Sequence, residues 1–357
     1  MIKFIHTADL HLDSPFEALG DELARQRRDE QRELLTRIVS LAEDERVDLI
    51  LLAGDLLDSD SAYFETARLF EQVFPQTRAK IFIAPGNHDP YTRISPWARL
   101  NLTGNVHIFR NNAIECVELP ELGARIYGAG FEQKFAPPLL RGFSANRTDG
   151  AINLMVMHGD LNNERSPYNP IAERDVAASG LDYIALGHVH LASGLQKAGE
   201  TYYAYPGCPE GRGFDERGEK TVLVAEVKPG VCETRSVSLG TRRYEILEAD
   251  IAGLPSVLSP GTERDIYRII LKGERDTPPD LNALRGQLSP LFFSLQLRDA
   301  TCPRRDLWEW ADEDTLRGLF IRRLRRLFDE AAGEGAKSQI LSALRFGLAA
   351  IDGMEDQ

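Results

Sequence analysis

Five short apolar runs, each closed by a polar turn, constrain this chain more than any other feature. Lys3–Ile5 leads into His6-Thr7-Ala8-Asp9-Leu10-His11, and Asp48–Ala53 leads into Gly54-Asp55-Leu56-Leu57-Asp58. Lys80–Ala84 precedes Gly86-Asn87-His88-Asp89, Ile152–Met157 precedes His158-Gly159-Asp160, and Tyr183–Leu186 precedes Gly187-His188-Val189-His190. Such runs read as buried strands of a covered sheet. Ligands of such folds gather beyond the carboxyl ends of the strands, so the pattern predicts five turns on one rim. His6 continues the first strand, and His11, His88, His158, His188 and His190, five of the seven histidines, lie in the turns proper.

Helical stretches separate the first runs. Glu22–Glu45 is periodic in Leu34, Leu35, Ile38, Val39 and Leu41, and Tyr63–Phe74 in Phe64, Ala67, Leu69, Phe70 and Val73. Strand–helix–strand order up to Ala84 argues for an α/β architecture. After Val106 strands prevail: His107–Phe109, Ala124–Tyr127, Thr201–Tyr205, Thr221–Val227 and Glu233–Leu239 read as a second sheet with mainly β connections. The loop Leu161–Pro170 carries Asn162, Asn163, Arg165 and Tyr168 close to the expected rim.

A core domain is expected over 1–240, a small α+β unit over 241–305 and a helical segment over 306–357. The α+β unit has strands at Tyr244–Ala249, Ile266–Lys272 and Phe292–Arg298 and a helix at Asp280–Leu288. The helical segment has one apolar stripe on Leu316, Leu319, Phe320, Leu324, Leu327 and Phe328 and another on Ile340, Leu341, Leu344, Leu348 and Ile351. Gly333 and Gly335 part them.

Lys+Arg number 42 and Asp+Glu 55, a net charge of −13. That balance argues against wholesale wrapping of nucleic acid, but leaves room for a local basic path or a partner with the basic surface. The four cysteines lie far apart with no CxxC, which excludes a zinc ribbon and a dithiol motif. They suit free thiols in a reducing cytosol, so a cytoplasmic location is expected. Apolar stretches such as Leu49–Ala53 fall far short of the ~20 residues of a membrane span. Met1–Ile5 reads as a strand rather than a secretion signal.

Asp, His and Asn are oxygen and nitrogen donors suited to Mn, Fe or Zn. Asp9, His11, Asp55, Asn87, His158, His188 and His190 are enough for two metals, with one carboxylate bridging. Asp9-x-His11 and His188-x-His190 place donors at i and i+2, which point the same way at a strand end. Glycines 54, 86 and 187 let the backbone turn tightly beneath. His88 points toward substrate, where a protonated imidazole stabilises charge or protonates a leaving oxygen. Asp58 is expected to orient it.

D-x-H, GDxxD, GNHD, an isolated His and GHxH, in this order, resemble the calcineurin-like metallophosphoesterases. The strings Phe4–Pro15 and Tyr205–Val224 are similar to those of the SbcD/YhaO-type DNA repair exonucleases. The resemblance implies a four-layer α/β/β/α sandwich, two facing sheets flanked by helices, with a small α+β capping domain and C-terminal helices. It implies one metal on Asp9, His11, Asp55 and His190 and another on Asp55, Asn87, His158 and His188. Two divalent ions, usually manganese, would activate water against phosphorus, and His88 would act on the leaving group. The partners implied are DNA, a second copy of the chain, and an SMC-like ATPase of SbcC or YhaN type docked on the C-terminal helices.

Three functions fit: a DNA exonuclease or endonuclease within an ATPase complex, a phosphatase or phosphodiesterase on another substrate, and a DNA-end-binding scaffold with little turnover. The roughly 115 residues after the core favour the first over the second, and the complete ligand set favours it over the third. His6 reads as a buried, satisfied polar residue and His107 as a strand residue. Arg212 reads as a loop residue, solvated or touching phosphate.

Overall fold

The computed structural model describes residues 1–59, 62–148, 150–251, 262–275, 277–303 and 307–355. Parts of the expected α+β unit and helical segment, 252–261, 276, 304–306 and 356–357, lie outside them. The strands that carry the polar turns are β1 (Ile2–Thr7), β2 (Leu49–Leu52), β3 (Lys80–Ile83), β4 (Ile152–His158) and β5 (Tyr183–Gly187).

Two six-stranded sheets form the core. The first runs Val231–Val237, Val222–Lys228, β1, β2, β3, Val106–Ile108. The second runs Gln196–Ala198, Thr201–Ala204, β5, β4, Ala124–Ala129, Glu115–Leu119. Phe4, Leu49, Leu51 and Phe82 of the first sheet meet Ile126, Leu154, Val156 and Tyr183 of the second in one buried layer. On its other face the first sheet buries Ile5, Ile50, Leu52 and Ile81 against two helices, α1 (Asp21–Asp44) and α2 (Phe64–Val73). The second sheet buries Met155, Met157, Ile184 and Leu186 beneath Leu140, Ile171 and Val176. The result is the α/β/β/α sandwich. With both faces covered, alternation has no reason to exist, which explains the continuous apolar runs.

Register brings the turns together. In the parallel pairs, Thr7 lies opposite Leu52 and Leu52 opposite Ile83, while His158 lies opposite Gly187. The carboxyl ends therefore finish level within each sheet. Where the sheets meet, a Cβ on Gly187 would strike the carbonyl of Ala53. That close approach, not a special backbone angle, is why glycine stands at 187.

The assignment of strands to sheets needs correction. Val106–Ile108 pairs with β3, and Val222–Lys228 pairs antiparallel with β1, so they and Val231–Val237 extend the first sheet. Apolar pattern reports burial but not which neighbour supplies the hydrogen bonds. His6 is buried in β1, its Nδ1 2.9 Å from the Tyr183 hydroxyl and its Nε2 3.1 Å from the Leu186 carbonyl. His107 pairs with Glu115 at 2.7 Å.

By compactness the described residues fall into two bodies. One comprises the described residues within 1–247, 262–268 and 288–296, and the other those within 248–251, 269–287 and 297–355. A three-stranded sheet has the order Tyr244–Ala249, Ile266–Leu271, Ser294–Asp299. Two helices, Leu316–Glu330 and Glu334–Glu355, close the chain. Ile321, Leu344 and Leu348 are buried between them with Phe320 and Leu324 against them, whereas Leu316, Leu319 and Leu327 face outward. Gly333 adopts φ +95° at the break, and Gly335 lies inside the second helix. Among the described residues no helix is long and apolar enough to cross a membrane. All four cysteines are free thiols.

Candidate metal centre

The rim gathers all seven expected donors. Asp9, His11 and His190 offer atoms within 4.8 Å of one another, as do Asp55, His158 and His188. Asn87 joins the second group, its Oδ1 3.0 Å from His158 Nε2 and 3.2 Å from His188 Nδ1. Asp55 Oδ2 faces both groups, 3.3 Å from His158 Nε2 and 3.8 Å from His11 Nε2. Its Oδ1 accepts the His88 N–H at 2.9 Å, which fixes that orientation.

The turns reach this convergence by left-handed backbone, not by strand pleating. Asp9 (φ 55°), His11 (45°), Asp55 (50°) and His188 (105°) all have positive φ. β1 ends at Thr7 and β5 at Gly187, so the i, i+2 argument does not apply to either pair. Four non-glycine residues in this region within one site are a concentration of strain, which persists where the surroundings over-determine it. Here those surroundings are visible. The N–H groups of Gly86, Asp55, Leu56 and Leu57 all donate to the Asp89 carboxylate, at 2.7–3.3 Å. A Cβ on Gly86 would strike the Asp55 carboxylate, so that glycine also serves close packing.

Hydrogen-bond partners set the imidazole tautomers. His11 Nδ1 lies 2.9 Å from Asp58 Oδ1, and His190 Nδ1 2.6 Å from Glu216 Oε1. Carboxylates only accept, so both Nδ1 atoms carry hydrogen, and in the neutral imidazoles both Nε2 atoms present lone pairs. Those Nε2 atoms face each other at 3.2 Å, with Asp9 Oδ1 3.8 Å from His190 Nε2. Facing lone pairs repel unless a hydrogen or a cation lies between them. His158 Nδ1 is taken by the Ala53 carbonyl at 2.9 Å, so its Nε2 also faces acceptors, Asn87 and Asp55.

The electrostatics agree. Burial pushes Asp9 up to about 7. Burial would raise Asp55 too, but His158 opposite it holds it well below the carboxylate range. Burial works against a charge on His158, yet Asp55 and Asp9 raise it to about 9. A shell that draws a proton onto a buried imidazole is a shell that draws a cation. The donor set thus fits divalent metals.

Sequence reasoning placed Asp58 behind His88. The structure puts the Asp58 carboxylate on His11, and it is the Asp58 backbone carbonyl that holds His88 Nδ1, at 3.1 Å. Arg212 Nη1 binds the same Asp58 Oδ1 at 3.0 Å. Arg212 is half-buried, and its guanidinium is engaged by the Asp58 and Glu216 carboxylates. Glu216 and the amide-collecting role of Asp89 went unrecognised. Glu216 lies within the string Tyr205–Val224 and Asp89 completes GNHD, so each stood in a motif that carried the resemblance although neither is a metal-donor position of it. His88 is exposed, its ring centroid 4.8 Å from that of His11. It lines a cleft of about 500 Å³ with Asp58, Asn87, Thr92, Lys134 and Tyr168. Of the loop residues expected near the rim, Tyr168 reaches it, its ring 5.1 Å from that of His188.

Residues 2–192 match the calcineurin-like phosphoesterase family. The chain is 30% identical over 332 residues to the uncharacterized metallophosphoesterase YhaO of Bacillus subtilis, covering 84% of this chain and 78% of that one. It is 27% identical over 273 residues to the SbcD component of the SbcCD nuclease of the same organism, covering 64% and 67%. To the DNA double-strand break repair protein Mre11 of Methanopyrus kandleri it is 24% identical over 305 residues, covering 76% and 63%. Five polar turns converging at the carboxyl ends of two sheets, and a family match over more than half the length, make this chain a member of the calcineurin-like phosphoesterase family, a metallophosphoesterase with nuclease homologues.

Proposed function

We propose that this protein is a manganese-dependent DNA exonuclease or endonuclease, the nuclease subunit of a DNA repair complex with an SMC-like ATPase. The observation that carries the hydrolytic reading is Asp55 Oδ2, which faces His11 on one side and His158 on the other. One carboxylate oxygen between two histidine groups suits a bridge between two cations. Asp9, His11, Asp55 and His190 would hold one ion, and Asp55, Asn87, His158 and His188 the other. Such ions supply positive charge to the phosphoryl oxygens and to an attacking water. His88, with Nδ1 donating to the Asp58 carbonyl, turns its Nε2 to the cleft. In the imidazolium form it stabilises charge on the leaving oxygen and gives it a proton.

The DNA substrate and the ATPase partner are supported by relatives named as nuclease and double-strand break repair proteins. The net charge of −13 suits a subunit whose partner holds the DNA. A capping role for 241–305, partner docking on 306–357, a homodimer and a cytoplasmic location belong to the same proposal.

The test is a gel assay on end-labelled linear DNA with Mn²⁺, Mg²⁺ or EDTA, beside Asp55→Ala and His88→Ala. Mn-dependent shortening lost in both variants supports the reading. Brisk hydrolysis of a small phosphoester with DNA untouched points to a phosphatase. No turnover of either, with DNA ends still bound, points to a scaffold.

A further inference from the structure

The loop from Glu210 to Glu216 enters the metal centre from outside the five turns. It is pinned to α1 by Arg27, a fully buried side chain whose Nη1 binds the Glu210 carboxylate and whose Nη2 donates to the Gly211 carbonyl at 3.2 Å. From this anchored loop Arg212 spans two carboxylates. Its Nη1 donates to Asp58 Oδ1 at 3.0 Å and its Nη2 to Glu216 Oε1 at 2.9 Å. Its backbone N–H donates to Glu216 Oε2 at 2.8 Å. Those same two oxygens, Asp58 Oδ1 and Glu216 Oε1, accept the Nδ1 hydrogens of His11 and His190. One guanidinium thus joins both carboxylates that set the two facing imidazoles.

Asp58 and Glu216 would repel each other across this small space without a cation between them, and each would be free to leave its imidazole. A released imidazole loses both its tautomer and its ring orientation, and carboxylate partners of metal-binding histidines act through those two properties. On the other side of Asp55, His158 takes its orientation from the Ala53 carbonyl, so it does not depend on Arg212.

Resting on the dimetal reading above, we propose that Arg212 and Glu216, with Asp58, are positioning residues that clasp His11 and His190, setting the affinity of one ion site and leaving the other unaffected. Arg212 acts through the carboxylates and through its Nη2, which lies 3.2 Å from His190 Nδ1; as a positioning residue it would touch neither ion nor substrate. The clasp makes the site sensitive to the loop at 210–216, which no strand-end motif includes.

The test is Mn²⁺ binding alone, followed by the spin-resonance signal of free Mn²⁺, with no substrate present. The wild-type protein should take up two equivalents. Arg212→Met should keep one equivalent at unchanged affinity and bind the other 10–100-fold more weakly, the range for loss of a ligand's hydrogen-bonding partner. Glu216→Gln, which keeps an acceptor for His190, should weaken the same equivalent by less, and Arg212→Lys should restore part of the loss. Two unchanged isotherms overturn the clasp. Equal weakening of both ions together with a lower Tm in EDTA also overturns it, since that is what a merely structural role produces. A wild-type protein that binds fewer than two ions overturns the dimetal reading itself, a result distinct from either.

Discussion

His11 Nε2 and His190 Nε2 face each other across 3.2 Å although 179 residues separate them in the chain. Each is turned there by a carboxylate on its opposite nitrogen, so a cation between them would meet two converging imidazole donors. Chelation should therefore lower the Tm, and Mn²⁺ should raise it in a concentration-dependent way. At a hundredfold excess over Kd one ion adds about 2.7 kcal/mol to stability. Thermal unfolding across a Mn²⁺ titration reads this, and a Tm indifferent to metal and chelator would contradict it.

Asp55 faces both histidine groups. Asp55→Asn keeps the shape and removes the charge. Uptake of both ions should weaken together, and turnover should fall roughly 10²–10³-fold, the scale of losing one preorganised charge from a hydrolytic site. Loss of one ion only, by the same spin-resonance titration, would show that Asp55 does not bridge.

His88 lines the cleft and stands with His11 and Asp58, outside the two donor groups around Asp55 and Asp9. His88→Ala should leave Mn²⁺ uptake intact while turnover falls about 10²–10⁴-fold. A phosphodiester with an activated aryl leaving group should lose less, since it needs no proton. Equal losses on activated and unactivated esters would argue against a leaving-group role.

Asp89 takes four backbone N–H groups with one carboxylate. Each buried donor left unsatisfied costs about 1–3 kcal/mol. Asp89→Ala should thus lose several kcal/mol by urea unfolding, and its residual fold should bind metal poorly because the Asp55 turn is no longer held. A loss under about 1 kcal/mol would mean that the turn holds its own shape.

His6 is fully buried, and burial pulls it from 6.5 down to about 3. Between those values the unfolded chain binds a proton that the folded chain refuses, so stability falls as pH drops below about 6.5. At pH 5 the loss is about 2 kcal/mol. Between pH 8 and pH 5 the wild-type protein should lose about 2 kcal/mol more stability than His6→Gln, both in EDTA, since the other buried groups that titrate in this range are common to the two. Equal drops in the two proteins would assign the acid sensitivity elsewhere.

The sequence alone determined the central β-strands, the turns that end them and the chemistry those turns carry, but not the edge strands Glu115–Leu119 and Gln196–Ala198. Burial on both faces leaves a continuous apolar run, and a metal-binding turn leaves Asp, His, Asn and Gly at its end; both signatures are local. Which sheet each strand joins was decided by tertiary structure, because Val222–Lys228 reads the same whether it covers β1 or pairs elsewhere. The fine geometry of the site was decided there as well. Asp9 and His11 converge through positive φ that no residue spacing encodes. Asp58 serves His11 rather than His88, with Arg212, 154 residues away, bound to the same carboxylate oxygen. Hydrogen bonds between distant segments are set by where the packed sheets deliver the loops, and that depends on the whole fold.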